Sequence, residues 1–197
     1  MSNQNPITAI YNPDEDGITH INIWLHAKTE LGRELCHFYE MPFIHPVFGP
    51  FNSMEGLWQY VQAKESDSKI ESERMSAESL RYLSGMTAKR SGKKLTWRHV
   101  DKFHEIINAA NFYKIEQNSE LKRMFVESNL PFAYYYVHKP PSKEFQCLIP
   151  RIINPEGYGW VVQGFEDNRK LMNDGKEPLT DIYEQFMVYT EANNLVK

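Results

Sequence analysis

Residues 51–61 limit the fold of this chain more than any other part of the sequence. Apolar side chains recur there at the spacing of a helix that buries one face: Met54, Leu57, Trp58 and Val61. Residues at i, i+3, i+4 and i+7 lie on the same side of an α-helix. The preceding residues 41–50, which hold three prolines and one glycine, predict an irregular loop. The sequence therefore predicts a core helix that begins near Glu55.

The start of this core helix carries a capping signal. Asn52 is a favourable N-cap residue, and Glu55 follows three positions later, as in a capping box. Two interpretations of Glu55 follow. Its carboxylate closes the capping box, which is the commoner arrangement, or it faces a pocket from the first turn of a buried helix.

Periodicity and turn signals predict the remaining elements. Residues 1–17 contain three turn signals and suggest a loosely ordered lead-in to one domain, 18–197. Gly85 offers a stop for the second helix, and Thr96 a cap for the third. The predicted strands are 21–25, 132–137 and 158–165, and the predicted helices are 66–84, 96–110, 118–127 and 182–189. This pattern is typical of a mainly helical α+β fold with short strands.

Composition argues against several classes of protein. A net charge of −4 and a pI near 6.0 give no overall positive field for binding nucleic acid. No apolar run approaches the roughly 20 residues that a membrane-spanning helix needs. The two cysteines lack a CxxC spacing, and no signal segment is evident. We therefore expect a cytoplasmic protein that does not bind membranes.

Familiar catalytic signatures are missing from the sequence. There is no phosphate loop of the GxxxxGKS type, and no GxGxxG, HExxH or GxSxG motif. The seven histidines are scattered, and the pair His99 and His104, at i and i+5, does not share one helix face. We therefore predict no metal site and no cofactor.

A tryptophan follows a basic, glycine-containing segment, 89–94, which is predicted to be a loop. Trp97 either stacks on a base or ribose or packs in the core. The cationic side chains either bind a diphosphate or belong to a solvated surface. These side chains are Lys89, Arg90, Lys93, Lys94 and Arg98.

Four short segments, in this order, resemble the NADAR (YbiA-like) family, and the resemblance spans about residues 20–137. It implies a YbiA-like single domain that hydrolyses an N-glycosidic bond. Family members cleave riboside intermediates of riboflavin synthesis or remove ADP-ribose from guanine. The segments are Leu35-Cys36-His37-Phe38, Ser53-Met54-Glu55 with Gln59, Trp97-Arg98-His99-Val100, and Lys114-Ile115-Glu116-Gln117 with Leu121.

The resemblance also implies a site. Glu55 and Trp97 fall on active-site positions, where a carboxylate near the anomeric carbon stabilises positive charge or activates water, and the indole stacks on the substrate. The substrate is then an N-riboside or ADP-ribose compound, free or attached to nucleic acid. The expected substrate-binding residues are Ser53, Gln59, His37, Lys89, Arg90, Lys93 and Arg98.

The late acidic residue of the family has no direct counterpart here. The corresponding strand reads Ala133-Tyr134-Tyr135-Tyr136-Val137, and an acidic residue beside glycine and tryptophan returns only at Glu156. We predict Glu156 as a second catalytic acid. Two alternatives stay open. One is a degenerate domain that binds ADP-ribose, modified nucleic acid or a protein partner without turnover. The other is an interaction protein that uses residues 132–136 as its contact surface.

Overall fold

The computed structural model describes residues 11–63, 77–95, 100, 102–138 and 151–178. Within these ranges the fold is α+β and mainly helical, as predicted, with short strands that pair two by two. The helices are α1 (Glu30–Leu35), α2 (Met54–Gln62), α3 (Gly85–Gly92), α4 (Phe103–Glu116), α5 (Ser119–Glu127) and α6 (Gly159–Asn173), with 3-10 helices at Pro13–Glu15 and Ala77–Tyr82. The strands are β1 (Ile21–Asn22), β2 (Phe43–His45), β3 (Gly49–Phe51), β4 (Phe132–Ala133), β5 (Tyr136–His138) and β6 (Arg151–Ile153).

The three strand pairs differ in direction and in sequence separation. β1 and β4 are parallel, with Ile21 opposite Phe132. β2 and β3 form an antiparallel hairpin, and β5 and β6 form a second antiparallel pair. The parallel pair joins two distant parts of the chain.

The predicted core helix is present as α2. Met54, Leu57 and Val61 are completely buried, at 0% exposure, whereas Trp58 is half-buried. The buried face packs against α4, where Ile107 and Ala110 are buried, and against the hairpin of β2 and β3. Burying a side chain of this size contributes about 1.5–3 kcal/mol, so this face holds α2 in place.

The predicted cap of α2 is wrong by one residue. Ser53, not Asn52, is the N-cap, and its Oγ accepts a hydrogen bond from the N–H of Gly56 at 3.1 Å. The Asn52 side chain instead donates to the carbonyl of Tyr82. The predicted capping box is therefore not formed, which leaves the Glu55 carboxylate for other contacts.

A second cluster lies where β1 and β4 meet α1, α5 and α6. The predicted helix at 118–127 is present as α5, and Leu121 and Phe125 are buried as predicted. In the first predicted strand Ile21 and Ile23 are buried, but Leu25 lies beyond the strand and is exposed. Leu31 and Leu35 of α1 belong to this cluster, and residues 36–38 follow directly after α1.

The predicted strand at 158–165 is wrong, because these residues begin α6. Val161, Phe165 and Asn168 are buried at i, i+4 and i+7, which is a helical period. The strand was predicted because this segment also contains aromatic and β-branched residues such as Tyr158, Trp160 and Val162. The pattern of burial, however, follows the helix that packs on α4 and α5.

The predicted loop at 89–94 is wrong for residues 89–92, which lie in a helix, and the predicted stop at Gly85 is wrong as well. Gly85 is the first residue of α3, with a positive φ of 51°, and Lys89 and Arg90 lie in its last turn. Only the end of the predicted helix at 66–84 is described, where residues 77–82 form a 3-10 helix with Leu80 buried. Lys89 and Arg90 are thus held on a helix whose Ala88 and Gly92 are buried, and Lys93 is its C-cap residue.

Several predictions concern residues outside the described ranges: Thr96, Trp97, Arg98, His99 and the helix predicted at 182–189. Residues 134 and 135 separate β4 from β5, so the strand predicted at 132–137 is two short strands. In the part of the chain that is described, no helix has both the length and the apolarity to cross a membrane.

Gly32→Ala is expected to destabilise the protein. A Cβ at Gly32 would lie 2.2 Å from the carbonyl oxygen of Asn22, so α1 must move away from β1. Overpacking of this kind costs about 1–3 kcal/mol. Gly159→Ala is the matched control, because nothing lies within 4 Å of its Cβ position and alanine favours helix. Urea unfolding of both variants measures the difference, and equal stabilities would contradict the expected clash.

Candidate active site

Glu55 lies in the first turn of α2 and is 6% exposed. Its backbone N–H donates to the carbonyl of His37 at 2.9 Å, which joins the helix start to the turn after α1. Its Oε1 accepts a hydrogen bond from Nε2 of Gln59, one turn later, at 2.8 Å. The carboxyl group is therefore buried and held by a neutral donor on its own helix.

The surroundings of Glu55 change its acidity. Burial raises the pKa of Glu55 to about 7, because water no longer solvates the charged form. The Gln59 hydrogen bond and the positive charge of Lys89 on α3 act in the opposite direction and lower it. A carboxyl that ionises near neutral pH is suited to accept or donate a proton during a reaction.

Close packing from α3 fixes the Gln59 side chain. A Cβ at Gly92 would lie 2.1 Å from Gln59 Oε1, so only glycine leaves room for this amide. Gln59 is 3% exposed, and its Oε1 has no hydrogen-bond partner among the described residues. Its amide is thus confined between α2 and α3, with its N–H directed at Glu55.

A buried lysine lies behind the turn after α1. Lys114 on α4 is 1% exposed, and its Nζ donates to the carbonyl of Glu34. Burial lowers the pKa of Lys114 to about 8. Burial, together with the Lys114 charge, lowers the pKa of His37 to about 3, and burial raises the pKa of the Cys36 thiol. The imidazole and the thiol are therefore neutral at pH 7, whereas Glu55, at about 7, and Lys114, at about 8, are the groups here whose pKa lies near that pH.

A set of aromatic rings that contact one another begins at Trp58, one turn after Glu55 on α2, and we call it the aromatic wall. Tyr158 is exposed and the other rings are half-buried. The members of the wall are Trp58, Tyr134, Tyr136, Tyr158 and Trp160. Trp58 stacks on Trp160 at 5.6 Å between ring centroids and on Tyr158 at 6.3 Å. Tyr134 contacts Tyr158 at 5.5 Å and Tyr136 at 5.4 Å. Flat rings of this kind stack on a base and pack against a sugar.

The structure brings together some of the predicted site residues. Glu55 and Gln59 are in contact, the backbone of His37 bonds Glu55, and the Lys89 charge acts on Glu55. Ser53 caps α2, so its hydroxyl is already used. Arg90 and Lys93 are exposed near the end of α3, and Trp97 and Arg98 lie outside the described ranges.

Glu156 is not brought to Glu55 by any contact of the described residues. It is exposed in the turn before α6, two residues ahead of Tyr158 of the aromatic wall.

The sequence did not predict Lys114 as a site residue, or Tyr134 and Tyr136 as members of the aromatic wall. Lys114 follows Ile107 by seven positions, so it lies on the apolar face of the helix, and this spacing is the signal that could have predicted its burial. The two tyrosines alternate along the chain, which places them on one face of an extended segment.

A cavity of about 800 Å³ is lined by residues other than those around Glu55. The buried Asp16 on its wall accepts hydrogen bonds from the backbone of Asn22 and Lys28, so its carboxylate is already bonded. Within the described ranges, no three His, Cys, Asp or Glu side chains converge as a metal site requires. The lining residues are Asn12, Pro13, Asp14, Asp16, Asn22, Trp24, His26, Lys28, Tyr135, Val137 and Ile152.

The fold and the buried carboxylate define a mainly helical α+β domain with a titratable group at the start of a core helix. This fold is similar to that of the Escherichia coli protein YbiA, known from an NMR structure. The TM-score is 0.54 at 16% sequence identity, and the match covers 86% of this chain and 91% of that chain. The chain therefore has a YbiA-like fold. No family model matches the sequence. No curated protein matches it either.

Proposed function

We propose that this protein is an N-glycosidase that hydrolyses an N-riboside or an ADP-ribosyl bond. The observation that carries the proposal is the buried Glu55 carboxyl, whose pKa is raised to about 7 beside a wall of aromatic rings. The YbiA-like fold supports it, because the sequence segments also resemble the NADAR (YbiA-like) family.

The chemistry of glycoside cleavage fits this arrangement. The anomeric carbon gains positive charge as the bond to nitrogen breaks, and a carboxylate stabilises that charge or activates water. Gln59 orients Glu55 for this step, and the aromatic wall supplies stacking surfaces for the base and the ribose. Lys89, Arg90 and Lys93, at the end of α3, are the groups for substrate phosphates.

Two substrate classes follow from this proposal. One is ADP-ribose attached to guanine, free or within nucleic acid, and the other is a riboside intermediate of riboflavin synthesis. Both have an N-glycosidic bond at a ribose, and the ADP-ribosyl substrate also needs a diphosphate site. The α3 cations favour the phosphorylated substrates.

The second candidate function is binding of the same ligands without turnover. The exposed position of Glu156 favours it, because no second carboxylate contacts Glu55 among the described residues. The third hypothesis, an interaction surface formed by residues 132–136, is weakened, since Phe132 and Tyr135 are buried at 2% and 0% exposure.

The test is a mass-spectrometric survey of base release. Wild type and Glu55→Gln are incubated with ADP-ribosylated guanine, riboflavin-pathway ribosides and NAD. Glu55→Gln is expected to lower the rate of release about 100-fold to 10,000-fold, the usual contribution of a general acid or base. Glu105→Gln, an exposed carboxyl in the first turn of α4, is the matched control and is expected to keep the wild-type rate. Ligand binding by folded wild type with no release would replace the proposal with the binding function.

A further inference from the structure

The cavity of about 800 Å³ is a second concave site, separate from Glu55. None of its lining residues belongs to the aromatic wall or bonds Glu55. Its walls come from the segment before β1, from the turn after β1, and from β5 and β6. Small-molecule sites in proteins have volumes of about 300–1,000 Å³, so a cavity of this size has room for one ligand.

Hydrogen bonds fix the buried part of the cavity wall. The Asn22 side chain donates to the carbonyl of Tyr135 and accepts from the N–H of Tyr135, both at 3.1 Å. Tyr135 is completely buried, and its hydroxyl makes a hydrogen bond with His20 at 2.8 Å. A wall that is already ordered loses little conformational freedom when a ligand binds, which favours affinity.

The charged groups of the wall already have partners. Lys28 Nζ lies 3.3 Å from Asp14 Oδ1 and donates to the Asp14 carbonyl at 3.0 Å. The Asp16 carboxylate accepts hydrogen bonds from the backbone of Asn22 and Lys28, at 2.9 and 2.7 Å. The lining residues thus include two carboxylates and one ammonium group. Their net negative charge disfavours a phosphate, so the ligand of this cavity differs from the phosphorylated substrates proposed for Glu55.

Trp24 and His26 form the part of the wall that can bind a ring. Trp24 is half-buried, and the rings of His26 and Tyr136 meet it edge-on at 5.0 and 6.3 Å between centroids. These contacts hold the indole in one orientation. The imidazole of His26 is exposed and makes no hydrogen bond with another described residue, so its nitrogens are available to a ligand.

We infer that this cavity binds a planar, uncharged heteroaromatic compound of the size of a nucleobase or a nucleoside. The Trp24 indole stacks on the face of the ligand ring, as aromatic side chains do on bases. The His26 imidazole forms a hydrogen bond with a nitrogen or carbonyl group at the edge of that ring. The negative wall excludes phosphorylated forms of the same compound.

The first test is an NMR titration of the ¹⁵N-labelled full chain with adenine, adenosine and adenosine monophosphate, followed at the indole N–H signals. Loss of one signal in Trp24→Phe identifies Trp24. We expect adenine and adenosine to shift this signal until it saturates. The monophosphate is expected to bind about 5-fold more weakly than adenosine, or weaker still, because the wall repels its charge. No shift of the Trp24 signal, or shifts confined to Trp58 and Trp160 of the aromatic wall, would overturn the proposal.

Substitution of the ring contacts gives a second test. Trp24→Ala is expected to lower the affinity for adenosine about 10-fold or more, the usual loss when one stacking ring is removed. His26→Ala changes an exposed residue and is expected to lower it about 5-fold. Leu25→Ala is the matched control, because Leu25 lies between these residues, is exposed and does not line the cavity. Wild-type affinity in His26→Ala, or an equal loss in Leu25→Ala, would contradict the assigned contacts.

Asp14→Asn tests the argument from charge. It removes one of the two carboxylates and leaves the Lys28 ammonium without its ion-pair partner. We expect the affinity for adenosine monophosphate to rise toward that for adenosine, which itself stays unchanged. An unchanged preference for adenosine over its monophosphate would show that wall charge does not select the ligand. None of these measurements uses turnover, so failure of this site and failure of the proposed N-glycosidase function are observed separately.

Discussion

Glu55→Gln is expected to make the folded protein more stable than wild type at about pH 8.5, by about 3 kcal/mol, and to change stability little near pH 4. The reason is the burial that raises the pKa of Glu55 from its ordinary 4.5 to about 7. Each tenfold change in proton affinity is worth about 1.4 kcal/mol.

The sign follows from proton binding in the two states. Between about pH 4.5 and 7 the folded protein holds the Glu55 proton more tightly than the unfolded chain does. Stability therefore falls as pH rises through this range, and above it the folded protein carries a buried charge. Glutamine is neutral at every pH and removes this penalty, and its amide N–H has an acceptor nearby in Gln59 Oε1.

Chemical unfolding of wild type and Glu55→Gln, followed near pH 4 and about pH 8.5, measures the effect. Glu105→Gln controls for the loss of one carboxyl, because it is exposed and is expected to change stability by less than about 0.5 kcal/mol. A stability difference between wild type and Glu55→Gln that is the same at both pH values would contradict the pKa that burial implies.

The parts of the fold that the sequence predicts are those fixed by neighbours along one helix. Met54, Leu57 and Val61 show their helical period in the sequence, and they are buried as α2 requires. The position of Glu55 in the first turn of α2 follows from the same pattern. The mainly helical α+β class follows from the sum of such local signals.

Contacts between distant residues account for what the sequence did not predict. Phe165 packs beside Phe132 of β4 and Phe125 of α5, and this packing selects a helix where the local residue types favour a strand. Lys114 bonds the carbonyl of Glu34, which lies 80 residues earlier. Such pairs depend on the tertiary fold, which local periodicity does not encode.

The buried ionisable groups near the helix start reduce stability. Burial raises the pKa of Glu55 to about 7 and lowers the pKa of Lys114 to about 8. In both residues burial therefore disfavours the charged form of the side chain. Apolar side chains of similar size would pack there without this penalty. Groups that violate packing rules in this way concentrate at functional sites, which agrees with the proposed role of Glu55.

Gln59→Leu is expected to raise the pKa of Glu55 above its wild-type value of about 7, because it removes the hydrogen bond that opposes the effect of burial. A hydrogen bond to a charged group is worth about 1.5–3 kcal/mol, so the shift is about 1 to 2 pH units. If Glu55 acts in its ionised form, kcat/KM at pH 7 falls about 5-fold to 50-fold and recovers at higher pH.

Titration of the Glu55 carboxyl by ¹³C NMR measures this shift without any substrate, and the pH dependence of kcat/KM measures its consequence. Gln163→Leu is the matched control, because Gln163 Nε2 donates to Asp167 at 2.9 Å in the same four-residue spacing, but on the exposed face of α6. It is expected to leave both the titration and the rate unchanged. A Glu55 titration that does not move in Gln59→Leu would show that the amide only packs between α2 and α3. An upward shift would establish that Gln59 sets the pH at which Glu55 becomes a base.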